Sequence, residues 1–574
     1  MTGYALQAVS LPITNRIFRS MVNHPPRRFD KPGMKRFDLI CLGCGPAGEK
    51  AATQASYYRK RVAIVEKHSR PGGAMVNTGT LPSKTLRETA LLCSAFKRRP
   101  LPGMDFAIDH KLSLAKFMAR RHLMEQQEHD RIESSVDRHG IEVFRGIGKI
   151  TDPNTIVITG VDGITTKIHA DNILITTGSS PLRPDHIPFD HPAVVDADGV
   201  LELQSIPKSM IIVGAGVIGS EYASIFAEID VEVTLINPRS EVLTFLDVEC
   251  RDHLLLSMQK SGVNFKLGDS VKSVVPQDDG LIRVELEKGS ILEAETLLWA
   301  AGRTSNTQNL GLEEVGVELG NRGLVIVNEN YRTNIESIYA AGDVIGFPAL
   351  ASTSMEQGRI AACRMFNNPF KQNLTENMPI GLYTIPAVSS VGLTEESAKE
   401  AGHTVVVGRA LYQFNARGRM LGDCQGILKC VFDRETRKLL GTTIVGENAT
   451  ELVHIAQAVI ANDGGIDYFI DTCFNYPSLA EMYKYAAYSA LQTLARLEDR
   501  EDELGDLLFS IVNLARKIEI SPEDALRRTI RKFTGRFQYI EKSLKEKGVS
   551  IKDASLEEMD TLWDEAKGKL TSDS

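Results

Sequence analysis

The first regular pattern in the chain is an apolar run over residues 37–42, short enough for a buried strand. It ends in a glycine-rich turn, Gly43-Cys44-Gly45-Pro46-Ala47-Gly48. A stretch of helical composition follows, and a second apolar run over residues 61–66 closes on an acid, Glu66. The same order returns later: an apolar run over 210–213, a turn carrying Gly214, Gly216 and Gly219, a helical stretch, and a further apolar run over 231–236. Strand, GxGxxG turn, helix and strand make a dinucleotide-binding unit, so the pattern predicts two such units on parallel sheets. Residues 404–407 and 426–432 read as strands and 452–461 as a helix, which predicts a mixed α+β region further on. Beyond Leu497 the pattern turns charged and helical. Ser521, Pro522, Glu523 and Asp524 there have the order of a helix N-cap, first position and acidic first turn.

The chemistry of each turn follows from its residues. Gly43 permits the tight turn, Gly45 lets the backbone approach a pyrophosphate, and Gly48 lets the helix lie close to the strand. The pyrophosphate then meets unpaired N–H groups at a helix N-terminus, where the dipole favours an anion. Glu66, with Lys67 beside it, stands where a ribose hydroxyl would be bound. In the second unit Gly214, Gly216 and Gly219 repeat the arrangement, but its last strand ends in Asn237 followed by Arg239. An acid there would repel a 2′-phosphate; Asn237 does not, and Arg239 has the geometry to pair with one. That combination predicts a site tolerant of both NAD and NADP. The competing reading is a turn cap at Asn237 with a solvated Arg239.

The order of motifs is similar to that of the pyridine nucleotide–disulfide oxidoreductase family. It comprises the first fingerprint, Gly72-Gly73, Pro82-Ser83-Lys84, residues 176–179 with Gly178, the second fingerprint, Gly302-Arg303, and Ala341-Gly342-Asp343, spread over about residues 34–495. The resemblance implies an α/β protein with two Rossmann-like dinucleotide-binding domains plus an α+β dimerisation domain, followed by an all-α C-terminal tail. The boundaries expected are 34–185 and 305–375 for FAD, 186–304 for NAD(P), 376–495 for the dimerisation domain and 496–574 for the tail. It also implies FAD contacts at Gly72, Gly73, Gly178, Gly302 and Asp343, and a Lys84–Glu221 pair near the flavin, for which a surface ion pair is the plain alternative. A homodimer is implied, each C-terminal segment serving the partner's flavin site.

Two departures set the expected chemistry. Disulfide reductases of that family carry two cysteines just before Pro-Ser-Lys; here Met75 and Thr80 occupy those places. A thioether supplies no thiolate to attack a disulfide. Where the family carries a His before proline, here Tyr476 precedes Pro477, with Glu481 downstream. A tyrosine pKa of about 10 makes a poor proton shuttle at neutral pH. What remains is a flavin and a nicotinamide site. Within the family the segments at 79–84, 383–386 and 474–477 most resemble soluble transhydrogenases, whose expected reaction is hydride transfer between NADPH and NAD+. A flavin-dependent NAD(P)H oxidase or diaphorase shares every motif. A module that holds FAD without turning over is a third reading.

Composition narrows the rest. An apolar fraction of 43% and a charged fraction of 24% are ordinary for a globular protein, and a net charge of −8 gives no basic footprint for nucleic acid. No run of 18 apolar residues is free of charge, so no membrane span is expected. Eight scattered cysteines fit a cytoplasmic setting, and Cys41 and Cys44 read as small buried fillers rather than a redox pair. No metal site is expected in the oxidoreductase part. Residues 1–33 hold five Lys and Arg against one acid; a transit segment and an upstream start with Met34 opening the folded chain are the two readings, the second preferred because no cleavage signal follows. The tail, with Glu503 and Asp506 in an ExxD pair, resembles the C-terminal part of MazG-type pyrophosphohydrolases. The carboxylate-bearing helix that completes their Mg2+ site is missing upstream, so a solvated helix face is the favoured reading.

Overall fold

The computed structural model describes residues 34–95 and 114–570; the N-terminal extension, residues 1–33, lies outside the described residues. Contacts divide the chain into two units, Met1–Ala490 and Leu491–Ser574.

In the first unit β1 (Lys35–Leu42), β2 (Val62–Glu66), β3 (Glu142–Arg145), β4 (Ile147–Asp152), β5 (Thr155–Thr159) and β6 (Thr165–Ile175) form one sheet in the order β3-β2-β1-β6-β5-β4, with Ile338–Ala340 added on β6. β1 runs parallel to β2 and β6, whereas β4 and β5 pair antiparallel. The near-continuous apolar runs read from the sequence are explained by burial on both faces: Leu39, Ile40 and Cys41 are all fully buried. Helix α1 (Pro46–Tyr57) follows β1 at once, with Pro46 in its first turn. It crosses Ala351–Met365 so closely that a Cβ on Gly358 would fall 2.2 Å from the Ala47 carbonyl oxygen. Helix α2 (Thr80–Cys93) carries Lys84.

A second sheet holds β7 (Val194–Asp196), β8 (Ser209–Val213), β9 (Glu232–Asn237), β10 (Val263–Leu267) and β11 (Thr296–Trp299) in the order β10-β9-β8-β11-β7, every pairing parallel. Helix α3 (Val217–Glu228) follows β8 as α1 follows β1. A third, antiparallel sheet spans residues 380–445 in five strands, with Ala449–Ala461 against it. Among the described residues no helix is long and apolar enough to cross a membrane.

In the second unit the helices are α4 (Met482–Lys517), which starts before its boundary, α5 (Pro522–Glu546) and α6 (Leu556–Leu570). Ser521 caps α5 as its residue type predicts, its side chain accepting from the Asp524 N–H. Ile540 and Leu544 of α5 bury against Leu562 of α6.

Candidate dinucleotide and flavin site

At the first glycine-rich turn the backbone leaves no room for side chains. Gly43 sits at φ +109°, and a Cβ there would lie 2.5 Å from the Thr176 carbonyl oxygen; one on Gly48 would lie 2.0 Å from the Gly43 oxygen. Both contacts hold α1 against the turn, so the first N–H groups of the helix, which have no carbonyl one turn earlier, face outward past Gly45. A Cβ on Gly45 would meet only the Gly73 Cα, at 3.8 Å. The second turn repeats this: Gly214 lies at φ +104°, and a Cβ on Gly219 would stand 1.9 Å from the Gly214 oxygen.

The strand-end residues do similar work in both units. Glu66 is buried, and its carboxylate accepts from the Cys44 N–H at 2.7 Å and the His68 N–H at 2.9 Å. Asn237 Oδ1 accepts from the Ala215 N–H, the matching position of the second turn, at 3.3 Å. Its Nδ2 donates to the carbonyls of Arg239 at 3.0 Å and Glu241 at 3.2 Å. This is a turn cap, the competing reading of Asn237, and Arg239 is exposed. Lys67 is exposed too.

Lys84 and Glu221 meet as the motif order implied. Lys84 Nζ donates to both carboxylate oxygens, at 2.9 and 2.7 Å, from a side chain 24% exposed, while Glu221 is buried. Residue patterns missed the third member of this group. The Tyr383 N–H donates to Glu221 Oε1 at 2.9 Å, and the Lys84 ammonium stands 5.0 Å from the centre of the Tyr383 ring. Residues 383–386 stand out in the sequence only through their family resemblance; nothing local ties them to a glutamate 162 residues earlier.

Asp343 heads a short 3-10 turn and accepts from the Ser179 hydroxyl at 3.0 Å. Arg303 in turn donates to the Ser179 hydroxyl at 2.8 Å and its carbonyl at 2.7 Å. Gly178 and Gly302 flank opposite ends of the antiparallel pair Ser179–Pro181 and Arg303–Ser305, Gly178 accepting from the Asn306 N–H at 2.9 Å and Gly302 from the Leu182 N–H at 3.0 Å. Next to Gly178 the Thr177 hydroxyl is buried with no partner in the protein. An orphaned hydroxyl, open turn N–H groups and a glycine-lined floor at Gly45, Gly72 and Gly73 fit a bound dinucleotide such as FAD.

No thiol serves this site. The segment 73–84 contains no cysteine. Cys41 and Cys44 are buried; burial pushes the Cys44 thiol up to about 12, reinforced by Glu66, and raises Cys41 as well. A thiol held protonated is neither nucleophile nor metal ligand. In the C-terminal segment Tyr476 is 69% exposed, whereas Glu481 is buried, accepts from Asn415 Nδ2 at 3.0 Å and has its pKa raised by burial. Those two residues are therefore not brought together with Lys84 by a shared hydrogen bond. Glu503 and Asp506 of the tail are exposed. Among the described residues no three His, Cys, Asp or Glu side chains converge as a metal site.

A glycine turn opening each of two helices on two parallel sheets, with a lysine–glutamate pair between them, defines a two-dinucleotide flavoprotein oxidoreductase. Residues 37–358 match the family described as pyridine nucleotide-disulphide oxidoreductase, and residues 378–487 match that family's dimerisation domain. The chain belongs to this family, whose members bind FAD and NAD(P). It is 41% identical over 465 residues to the soluble pyridine nucleotide transhydrogenase of Mycobacterium bovis (strain BCG / Pasteur 1173P2), covering 81% of this chain and 99% of the relative. The soluble pyridine nucleotide transhydrogenase of Colwellia psychrerythraea is 41% identical over 461 residues, covering 80% of this chain and 98% of its own. Among solved structures, LpdA from Mycobacterium tuberculosis aligns with a TM-score of 0.73 at 28% identity, covering 79% of this chain and 99% of that one. The HOCl-induced flavoprotein disulfide reductase RclA from Escherichia coli aligns at 0.71 and 25%, with the same coverage.

Proposed function

We propose that the chain is a soluble pyridine nucleotide transhydrogenase that uses FAD to move hydride between NADPH and NAD+. The observation that carries this reading is the thiol-free approach to Lys84, with Met75 and Thr80 where disulfide reductases place their cysteines, in a chain 41% identical to transhydrogenases over nearly their full length. When bound, the flavin supplies a group that takes and returns hydride.

The chain's own residues bind, orient and exclude. The open N–H groups of α1 hold the pyrophosphate of FAD, Glu66 shapes the turn at its ribose, and Asp343 with Ser179 receives the ribityl chain. Glu221 fixes Lys84 as a cation, which beside a bound flavin would favour the negative charge that reduction brings. The turn at Gly214, Gly216 and Gly219 would hold the nicotinamide nucleotide; Asn237 caps its own loop and adds no negative charge there, which leaves the exposed Arg239 to pair with a 2′-phosphate when one is present. The exposed Tyr476 and the buried Glu481 belong to a segment that a homodimer lends to the partner's flavin. Residues 34–185 with 305–375 form the FAD domain, 186–304 the NAD(P) domain, 376–495 the dimerisation domain and 496–574 the helical tail.

The decisive test is anaerobic stopped-flow absorbance of the purified holoenzyme. NADPH should bleach the flavin band, and NAD+ added afterwards should restore it. Bleaching that only oxygen or a quinone reverses would make the protein an oxidase or diaphorase instead.

A further inference from the structure

Residues 504–537 carry large apolar side chains that the chain's own packing leaves open. On α4, Leu504, Leu507, Ile511 and Leu514 recur at steps of three and four, the spacing of a helix-packing seam, and Ile518 in the turn just after the helix continues it. Each is between 51% and 60% exposed. On α5 the steps from Leu526 through Ile530, Phe533, Phe537 and Ile540 to Leu544 alternate four and three in the same way. The last two of these are buried on α6, at 3% and 1%, while the first four stand open at 61%, 54%, 55% and 37%. One stripe is thus covered at its end; Phe533 also meets the Trp563 ring of α6 at 5.3 Å and stacks on Phe537, yet both keep open surface, as do Leu526 and Ile530. Both stripes are open at once, so α4 and α5 of one chain do not cover each other.

Charge indicates what does. The start of the α4 stripe is accompanied by Asp499, Asp502, Glu503 and Asp506, with Arg516 and Lys517 at its far end, and the α5 stripe by Arg527, Arg528, Arg531, Lys532 and Arg536, with Glu523 and Asp524 in its first turn. Like helices repel and unlike helices attract. Helix α4 also begins at Met482, inside residues 378–487 that match the family's dimerisation domain, so an association there brings two tails within reach at high effective concentration. We propose that the tail is a second interface between copies of this chain: α4 of one copy packs its apolar stripe on α5 of another, and the reverse. A two-fold arrangement makes both contacts at once, giving four helices around one apolar seam. The proposal is independent of the flavin chemistry and rests on the homodimer reading only for bringing the tails together.

The test places the photo-crosslinking amino acid p-benzoylphenylalanine at Leu507 in the full-length holoenzyme, irradiated in the expressing cell and after purification. The expected product has twice the chain mass, with the attachment within residues 522–537. Ile530→Glu with Phe533→Glu should reduce that product about tenfold while the NADPH-to-NAD+ rate stays unchanged, which shows that the rest of the chain is folded. An attachment within one chain, a product with another protein's mass, or a doubled product that survives the double substitution would each overturn the proposal. Sedimentation separates the two readings. A dimer without the tail crosslink removes this interface alone, and a monomer removes both.

Discussion

Lys84 Nζ lies 2.7 Å from Glu221 Oε2, joining α2 to α3, the helix that the second fingerprint opens. Because Glu221 is buried and also holds the Tyr383 N–H, Glu221→Gln keeps the backbone contact through its one oxygen and removes the negative charge together with one of the two acceptors that hold Lys84. Leaving one member of a buried pair alone costs about 3–5 kcal/mol, and the partial exposure of Lys84 brings the cost below that range. The expected result is a lower melting temperature and a shifted flavin midpoint potential, measured by redox titration; an unchanged potential would leave the pair a structural strut.

Native thiol chemistry should be irrelevant to turnover. Cys41 and Cys44 are buried, whereas Cys424 and Cys473 are exposed. N-ethylmaleimide at neutral pH should label the exposed pair and spare Cys41 and Cys44, with NADPH-to-NAD+ activity retained. Peptide mass mapping finding Cys44 modified together with loss of activity would contradict the thiol-free mechanism.

Asn237→Asp tests nucleotide tolerance. The substitution takes away the donor to the Arg239 and Glu241 carbonyls and puts a carboxylate at the end of the strand proposed to meet the nucleotide's ribose. We expect KM for NADPH to rise about tenfold or more, with KM for NADH nearly constant. Equal losses for both nucleotides would mean that Asn237 acts only through the loop it holds.

Acid stability should depend on a buried cluster away from the site. Lys429, almost fully buried, contacts Asp247 and Glu395, each at 2.8 Å. Burial alone would raise the Glu395 pKa, but hydrogen bonds from Lys399 and Lys429 outweigh it and hold the pKa at about 2. A carboxyl depressed from its ordinary 4.5 contributes stability that is complete above about pH 4.5 and is lost as pH falls toward 2. The melting temperature should therefore drop between pH 5 and 3, and Glu395→Gln should flatten that slope. A variant with the wild-type slope would assign the acid sensitivity elsewhere.

The amino-acid order alone determined the two strand–turn–helix units, because their requirements are local: glycine where a Cβ would strike a carbonyl, and apolar runs where a strand is covered on both faces. It also determined which chemistry is absent, since a missing thiol needs no folding to be seen. The α5 cap at Ser521 was legible for the same local reason. Folding alone decided that Tyr383 would join Lys84 and Glu221, that Asp343 and Arg303 would converge on Ser179, and that Asn237 would turn its amide toward its own loop. Such contacts join residues far apart in the chain, or set by backbone angles that composition does not encode. The bare stripes of the tail belong to the same class: periodicity marks an apolar helix face, and only packing tells whether the chain itself covers it.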